Sequence, residues 1–168
     1  MATLKQQKAR KEYVCSKCGT EIHIGDQYLR FSLTRFQKPK ILCLVCRPTR
    51  SQMTTSAFWG TMYAIEDEIG ALTVDDFDGL SDTVEGIVGQ LEELRDEQEE
   101  KRDNMPEGLQ DGEIGELLQE RYDEVDEMII ELQGVELGID TEGAEEDEIE
   151  NLKQGVIEEV QGASYSGS

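Results

Sequence analysis

The stretch Tyr13–Pro48, YVCSKCGTEIHIGDQYLRFSLTRFQKPKILCLVCRP, holds every cysteine of the chain and sets them out as two Cys-x-x-Cys pairs. Cys15 and Cys18 form the first, Cys43 and Cys46 the second, with 24 residues between them. Four thiolates on two tight turns can close a tetrahedron around zinc, and Gly19, just past the first pair, permits the bend that aims backbone amides at the sulfurs. Two other readings stay open. A redox pair would want one Cys-x-x-Cys to open a helix inside a βαβ pattern, which the flanking sequence lacks, and disulfides would want an oxidising compartment. Zinc is the favoured cofactor. Its role is expected to be structural, because a four-sulfur site leaves no open position for water or substrate. His23, the only histidine, lies near enough to the first pair to be a substitute ligand, but four cysteines make it superfluous.

Between the pairs, DQYLRFSLTRF and KPKILCL are rich in alternating apolar and aromatic residues, and Gly25-Asp26 supplies a turn, so the spacing predicts a short antiparallel hairpin. The module is expected to be a zinc ribbon or a treble clef. A piece this small has little core of its own, and zinc can supply about 10–16 kcal/mol of apparent folding free energy at neutral pH.

Working outward, the charge divides in two. Through Gln52, eleven Lys and Arg face only Glu12, Glu21 and Asp26, a net +8; from Met53 onward five bases face 35 acids, a net −30, and together these give the chain's −22. Such asymmetry suggests two surfaces, one suited to polyanions and one that repels them, with a boundary near Arg50. The expected organisation is a basic zinc module over 1–52, an acidic helical bundle over 53–162 and a flexible tail over 163–168. The hydrophobic fraction of 37% is low, and no apolar run approaches the roughly 20 residues of a membrane span. The start lacks the apolar stretch of a secretory signal, so a cytoplasmic protein with no membrane partner is expected.

The basic half offers Lys8, Arg10, Lys11, Lys17, Arg30, Arg35, Lys38, Lys40, Arg47 and Arg50 as nucleic-acid contacts. With Tyr28, Phe31 and Phe36 interleaved, phosphate contact plus base stacking is one reading. The other is that the aromatics form a small core and the cations keep it soluble.

In the acidic half, Phe58, Met62, Ile65 and Ile69 recur at helical spacing, with Trp59 and Tyr63 alongside and most simply read as core, and with Thr54, Thr55 or Ser56 as a cap. Phe77, Leu80, Val84, Ile87, Leu91 and Leu94 make a heptad seam that DNMPEG ends. Ile114, Leu118, Val125, Ile129 and Leu132 mark a third helix, and Ile149, Leu152, Val156 and Val160 a fourth. Gly108, Gly112, Gly138 and Gly143 fall between them, so the helices fold back as an antiparallel bundle or coiled coil. Gly86, Gly89 and Gly155 each cost about 1 kcal/mol relative to Ala within a helix, which makes a partner or a homo-oligomer plausible. Glu92, Glu93, Asp96, Glu97, Glu99 and Glu100, less Arg95, put one negative charge per ~2.7 Å of helix. Duplex DNA carries one per ~1.7 Å of axis. These six are the candidate contacts to a protein partner, a host nucleic-acid-binding protein being one candidate.

Cys-Ser-Lys-Cys-Gly at 15–19, Ile24-Gly25-Asp26-x-Tyr28, the Arg35-Phe36 step, Arg47-Pro48 after the second pair, and Thr55-Ser56 opening an acidic helical tail together resemble a group of small uncharacterised bacteriophage proteins with an N-terminal four-cysteine zinc motif. The resemblance covers most of the chain, but only the zinc half carries specific motifs. It implies a phage product acting in the host cytoplasm, and it transfers no catalytic residue. The expectation is therefore a non-enzymatic zinc-containing adaptor whose basic module contacts nucleic acid or an anionic surface and whose acidic helices contact a protein. The alternatives are an inhibitor that mimics nucleic acid, and a structural or self-associating protein. No acid–base, phosphate-cradling or open metal constellation points to an enzyme.

Overall fold

Strand β4 (Gln27–Ser32) is the centre around which the cysteine-bearing region is built. The computed structural model describes residues 3–34, 36–140, 143 and 145–163, and the chain divides into two units, Met1–Ala64 and Ile65–Ser168. In the first, β4 lies between β1 (Thr3–Lys8) and β5 (Lys40–Cys43) in an antiparallel sheet of order β1-β4-β5. The β4–β5 pairing is the hairpin that the alternation predicts, in the register Tyr28↔Cys43 to Phe31↔Lys40. Strand β1 is an addition: its sequence TLKQQK has no apolar alternation, and it is held in place by backbone pairing to β4 from Thr3↔Ser32 to Lys8↔Gln27.

Two shorter strands, β2 (Tyr13–Val14) and β3 (Glu21–Ile22), pair across the first cysteine turn. Ala9, Cys15, Ile22, Tyr28, Leu29, Phe31 and Leu42 form one buried cluster. Tyr28 and Phe31 are thus core: Tyr28 meets Tyr13 at 5.0 Å between ring centroids, and neither is on offer for base stacking. Of the three aromatics that the sequence offers for that role, only Phe36, 84% exposed, faces solvent.

Helix α1 (Ala57–Gly70) follows a short 3-10 turn at Ser51–Met53. Ser56 Oγ accepts a hydrogen bond from the Trp59 amide at 3.4 Å, as the capping argument expects, and Phe58, Met62, Ile65 and Ile69 are buried. In the second unit a 3-10 segment at Val74–Gly79, closed by a reciprocal Thr73–Asp76 capping box, leads into α2 (Leu80–Asp103). The short α3 (Glu107–Gln110) turns the chain into α4 (Glu113–Gly134). Helices α2 and α4 are antiparallel: Arg95 reaches Asp126 at 2.8 Å and Arg102 donates to Gln119, so seven residues forward on one helix are seven back on the other. Val84, Ile87, Leu91 and Leu94 are buried on α2, and Leu118, Val125, Met128, Ile129 and Leu132 on α4. Each such side chain contributes about 1.5–3 kcal/mol over an exposed one. Helix α5 (Glu146–Gly162) docks on the 3-10 segment, with Lys153 Nζ 5.1 Å from the Phe77 ring centroid and Gln161 donating to the Leu72 carbonyl at 3.0 Å.

Three seam positions differ from the sequence reading. Phe77 lies in the 3-10 segment and is only half-buried, so the α2 stripe begins at Leu80. Ile114 is 63% exposed while its neighbour Gly115 is buried, because the α3–α4 corner brings the Gln110 carbonyl so close that only a residue without a side chain fits. Leu152 is exposed; α5 buries Val160 as expected, and Ile157, which the sequence reading omits. Ala163, at the start of the expected tail, is buried; 164–168 lie outside the described residues.

Candidate metal centre and basic surface

The first cysteine turn is fixed by its own backbone. The Gly19 amide donates to the Cys15 carbonyl at 2.9 Å with Gly19 at a φ of +73°, a conformation that L side chains avoid, and the Cys15 amide donates to Thr20. Ser16 ties this turn to β5, its amide and Oγ both donating to the Ile41 carbonyl, at 2.9 and 2.7 Å. Cys43 ends β5 and Cys46 lies in the irregular segment beyond it, so no helix opens at the second pair.

These constraints bring all four sulfurs within 4.8 Å of one another. Cys18 Sγ and Cys43 Sγ are 3.7 Å apart. A tetrahedral site with metal–sulfur bonds of 2.3 Å has edges of about 3.8 Å. All four cysteines are free, and 3.7 Å is far beyond a disulfide bond. The donor set fits a thiophilic ion, and the cluster could hold a metal. His23 is exposed and stands outside the cluster; its amide donates to Asp26 Oδ2 at 2.9 Å.

The thiols are electrically unlike. Burial opposes ionisation of Cys15, but backbone amides of Cys18, Cys43 and Lys17 outweigh it and bring that thiol down to about 6. The Thr20 hydroxyl, 3.0 Å from Cys18 Sγ, and the Thr20 amide lower Cys18 as well. Cys46 is pushed up to about 12, chiefly by the neighbouring Cys18 and Cys43 sulfurs. Thiolates crowded this closely repel one another unless a cation is placed among them.

Nine of the ten predicted cationic contacts, Lys8, Arg10, Lys11, Lys17, Arg30, Lys38, Lys40, Arg47 and Arg50, are exposed; Arg35 lies outside the described residues. The sheet register sets Arg30 directly opposite Lys5. Like charges placed opposite one another are destabilising, and an anion over the pair relieves that cost. Lys40 lies 5.9 Å from the Phe31 ring, Lys11 5.4 Å from Tyr13 and Arg50 4.9 Å from Tyr63. The sequence points to these cations but not to their pairing, which depends on the unanticipated strand β1.

On α2, Glu92, Glu93, Asp96, Glu97, Glu99 and Glu100 are all exposed. At about 100° per residue they cover an arc of about 160°, opposite the buried stripe. Arg95 pairs with Asp96 at 3.0 Å and Lys101 with Glu97 at 2.8 Å, so two of the six carboxylates are internally matched. No described helix is long and apolar enough to cross a membrane.

Comparisons of the chain with known protein families, with curated proteins and with solved structures find no match.

Proposed function

We propose that this chain is a non-enzymatic, zinc-containing adaptor that acts through two surfaces of opposite charge. Zinc at Cys15, Cys18, Cys43 and Cys46 staples the first unit, whose exposed cations contact nucleic acid. The acidic helices of the second unit contact a protein. The observation that carries this reading is the sheet-borne cluster of exposed bases, with Lys5 and Arg30 set side by side in a unit of net charge +8. The resemblance to small bacteriophage proteins supports action in a host bacterial cytoplasm, and the four-sulfur donor set, which fills a tetrahedral ion's coordination, supports a structural role for it.

Binding of a labelled oligonucleotide to the zinc-loaded full chain, read by anisotropy across a salt series, tests this. Affinity should fall steeply with salt, with a log–log slope of about −0.7 to −0.9 per phosphate contact. Chelation of the metal should abolish it. An oligonucleotide that fails to bind at about 50 mM salt refutes the adaptor reading.

A second reading rests on the α2 arc: six carboxylates along one face favour mimicry of nucleic acid. It predicts nuclease-insensitive capture of a nucleic-acid-binding protein that reversal of Glu92, Glu93, Glu99 and Glu100 to Lys abolishes. Capture unaffected by those reversals refutes it.

A further inference from the structure

With Tyr28 and Phe31 buried, Phe36 alone of the three expected aromatics is left exposed for a base, and a base seated in a groove needs another platform. One exists where the sequence suggests only helix core. Leu33, Pro48, Arg50, Met53, Trp59 and Tyr63 line an open groove of about 540 Å³, together with two threonines and no carboxylate. Trp59 and Tyr63, one helical turn apart on α1, stack at 5.5 Å between centroids with an interplanar angle of 26°. The Arg50 guanidinium lies 4.9 Å from the Tyr63 centroid. Arg50 and Trp59 thus both lie against the Tyr63 ring beside an apolar wall, in a unit that carries eight excess positive charges.

We propose that this groove seats a base of a single-stranded nucleic acid, packed against the aromatic wall that Trp59 and Tyr63 present to it, with the phosphates tracking the surrounding lysines and arginines. The inference rests on the adaptor reading of the first unit and names its ligand: a single strand with splayed bases rather than a duplex. Charge decides between occupants. An apolar peptide would suit the aromatic wall, but a carboxylate-free groove in a +8 unit favours a polyanion with flat, apolar faces. A duplex keeps its bases stacked on each other, whereas a single strand presents them.

Trp59 is the chain's only tryptophan, so its fluorescence reports on this groove alone. The zinc-loaded full chain is titrated with oligothymidylate and oligouridylate of about 15 nucleotides, a length within the usual site sizes. Emission and the anisotropy of a labelled strand are read in parallel, with inorganic polyphosphate as the charge-only control. Both strands should quench Trp59 saturably, the stronger of the two identifying the polymer, while polyphosphate competes for binding without quenching. Trp59→Ala should weaken binding by about 5- to 150-fold, the loss expected for one base stack, and Trp59→Tyr should restore most of it. Circular dichroism identifies a variant that fails to fold, in which case the emission of the unaltered chain decides. Anisotropy-detected binding with unchanged emission overturns the groove and leaves the adaptor reading standing. No binding by either readout overturns both. Quenching by polyphosphate equal to that by the strands overturns base stacking.

Discussion

Adding one methyl group at Gly115 and one at Gly89 should move stability in opposite directions. Both glycines lie in helices, α4 and α2, where alanine is intrinsically favoured by about 0.5–1 kcal/mol. A Cβ at Gly89 meets nothing within 4 Å, so Gly89→Ala should stabilise by about that amount. A Cβ at Gly115 falls 1.9 Å from the Gln110 carbonyl oxygen, 2.5 Å from its carbon and 2.8 Å from its Cα. The oxygen has to retreat by about 1.1 Å merely to reach the 3.0 Å that real Cβ contacts essentially never undercut. The obstacle is main chain at the end of α3, with no rotamer to turn, so the corner between α3 and α4 must open. Overpacking of this kind costs about 1–3 kcal/mol, which exceeds the propensity gain. A net loss of about 1–2 kcal/mol corresponds to a fall of about 4–16 °C in Tm for a unit of this size. Urea and thermal unfolding followed by circular dichroism at 222 nm measure both variants. If Gly115→Ala melts with or above the parent protein, the close approach of α3 to α4 is wrong, and so is the explanation for the exposed Ile114.

Three further outcomes are expected. Gln98 is 1% exposed, donates its amide to the Leu94 carbonyl at 3.0 Å and leaves its Oε1 without a hydrogen bond; Gln98→Met should stabilise by about 1 kcal/mol, read as a higher urea midpoint at unchanged slope, and a lowered midpoint would mean that this oxygen has a partner. The Arg95–Asp126 pair across α2 and α4 is partly exposed, so a double-mutant cycle with alanine should return about 0.2–1 kcal/mol, shrinking as salt is added, and a coupling that is indifferent to salt would contradict the assignment. Near pH 7 the metal-free chain should alkylate first at Cys18, which is exposed and lowered by Thr20, and last at Cys46, held up at about 12; Cys15, ionised above about 6, is slowed by burial. Metal should protect all four, and equal labelling rates at every cysteine, read by peptide mass spectrometry, would contradict the thiol environments.

The cysteine cluster was legible because spacing alone places two sulfurs on each of two turns, and the β4–β5 hairpin because Tyr28, Leu29, Phe31 and Leu42 carry the apolar signal. Strand β1 was not, since TLKQQK carries a single apolar residue, Leu4, and is placed by its backbone pairing to β4. On α5 only Leu152 was misplaced, for a related reason: its neighbour Lys153 lies over Phe77, and a count of apolar residues cannot register a lysine stem that covers a ring. Ile114 misled because chain approach, set by the α3–α4 corner, decided which residue faced inward. The groove at Trp59 and Tyr63 draws on Leu33, Pro48 and Arg50 from before the helix, and helical periodicity reads those two aromatics simply as core.

Strand β1 stands at the outer edge of its sheet, bonded on one side to β4. An open edge is a template for pairing with another chain, and Lys5 and Lys8 sit along it as exposed charges that discourage such pairing. Alanine scanning would therefore confuse two losses here, since a neutral edge aggregates and an aggregated protein also fails to bind. Lys5→Glu avoids this: it keeps the edge charged, meets Arg30 as an opposite charge and removes a cation from the surface. One substitution should thus firm the sheet while loosening its hold on a polyanion.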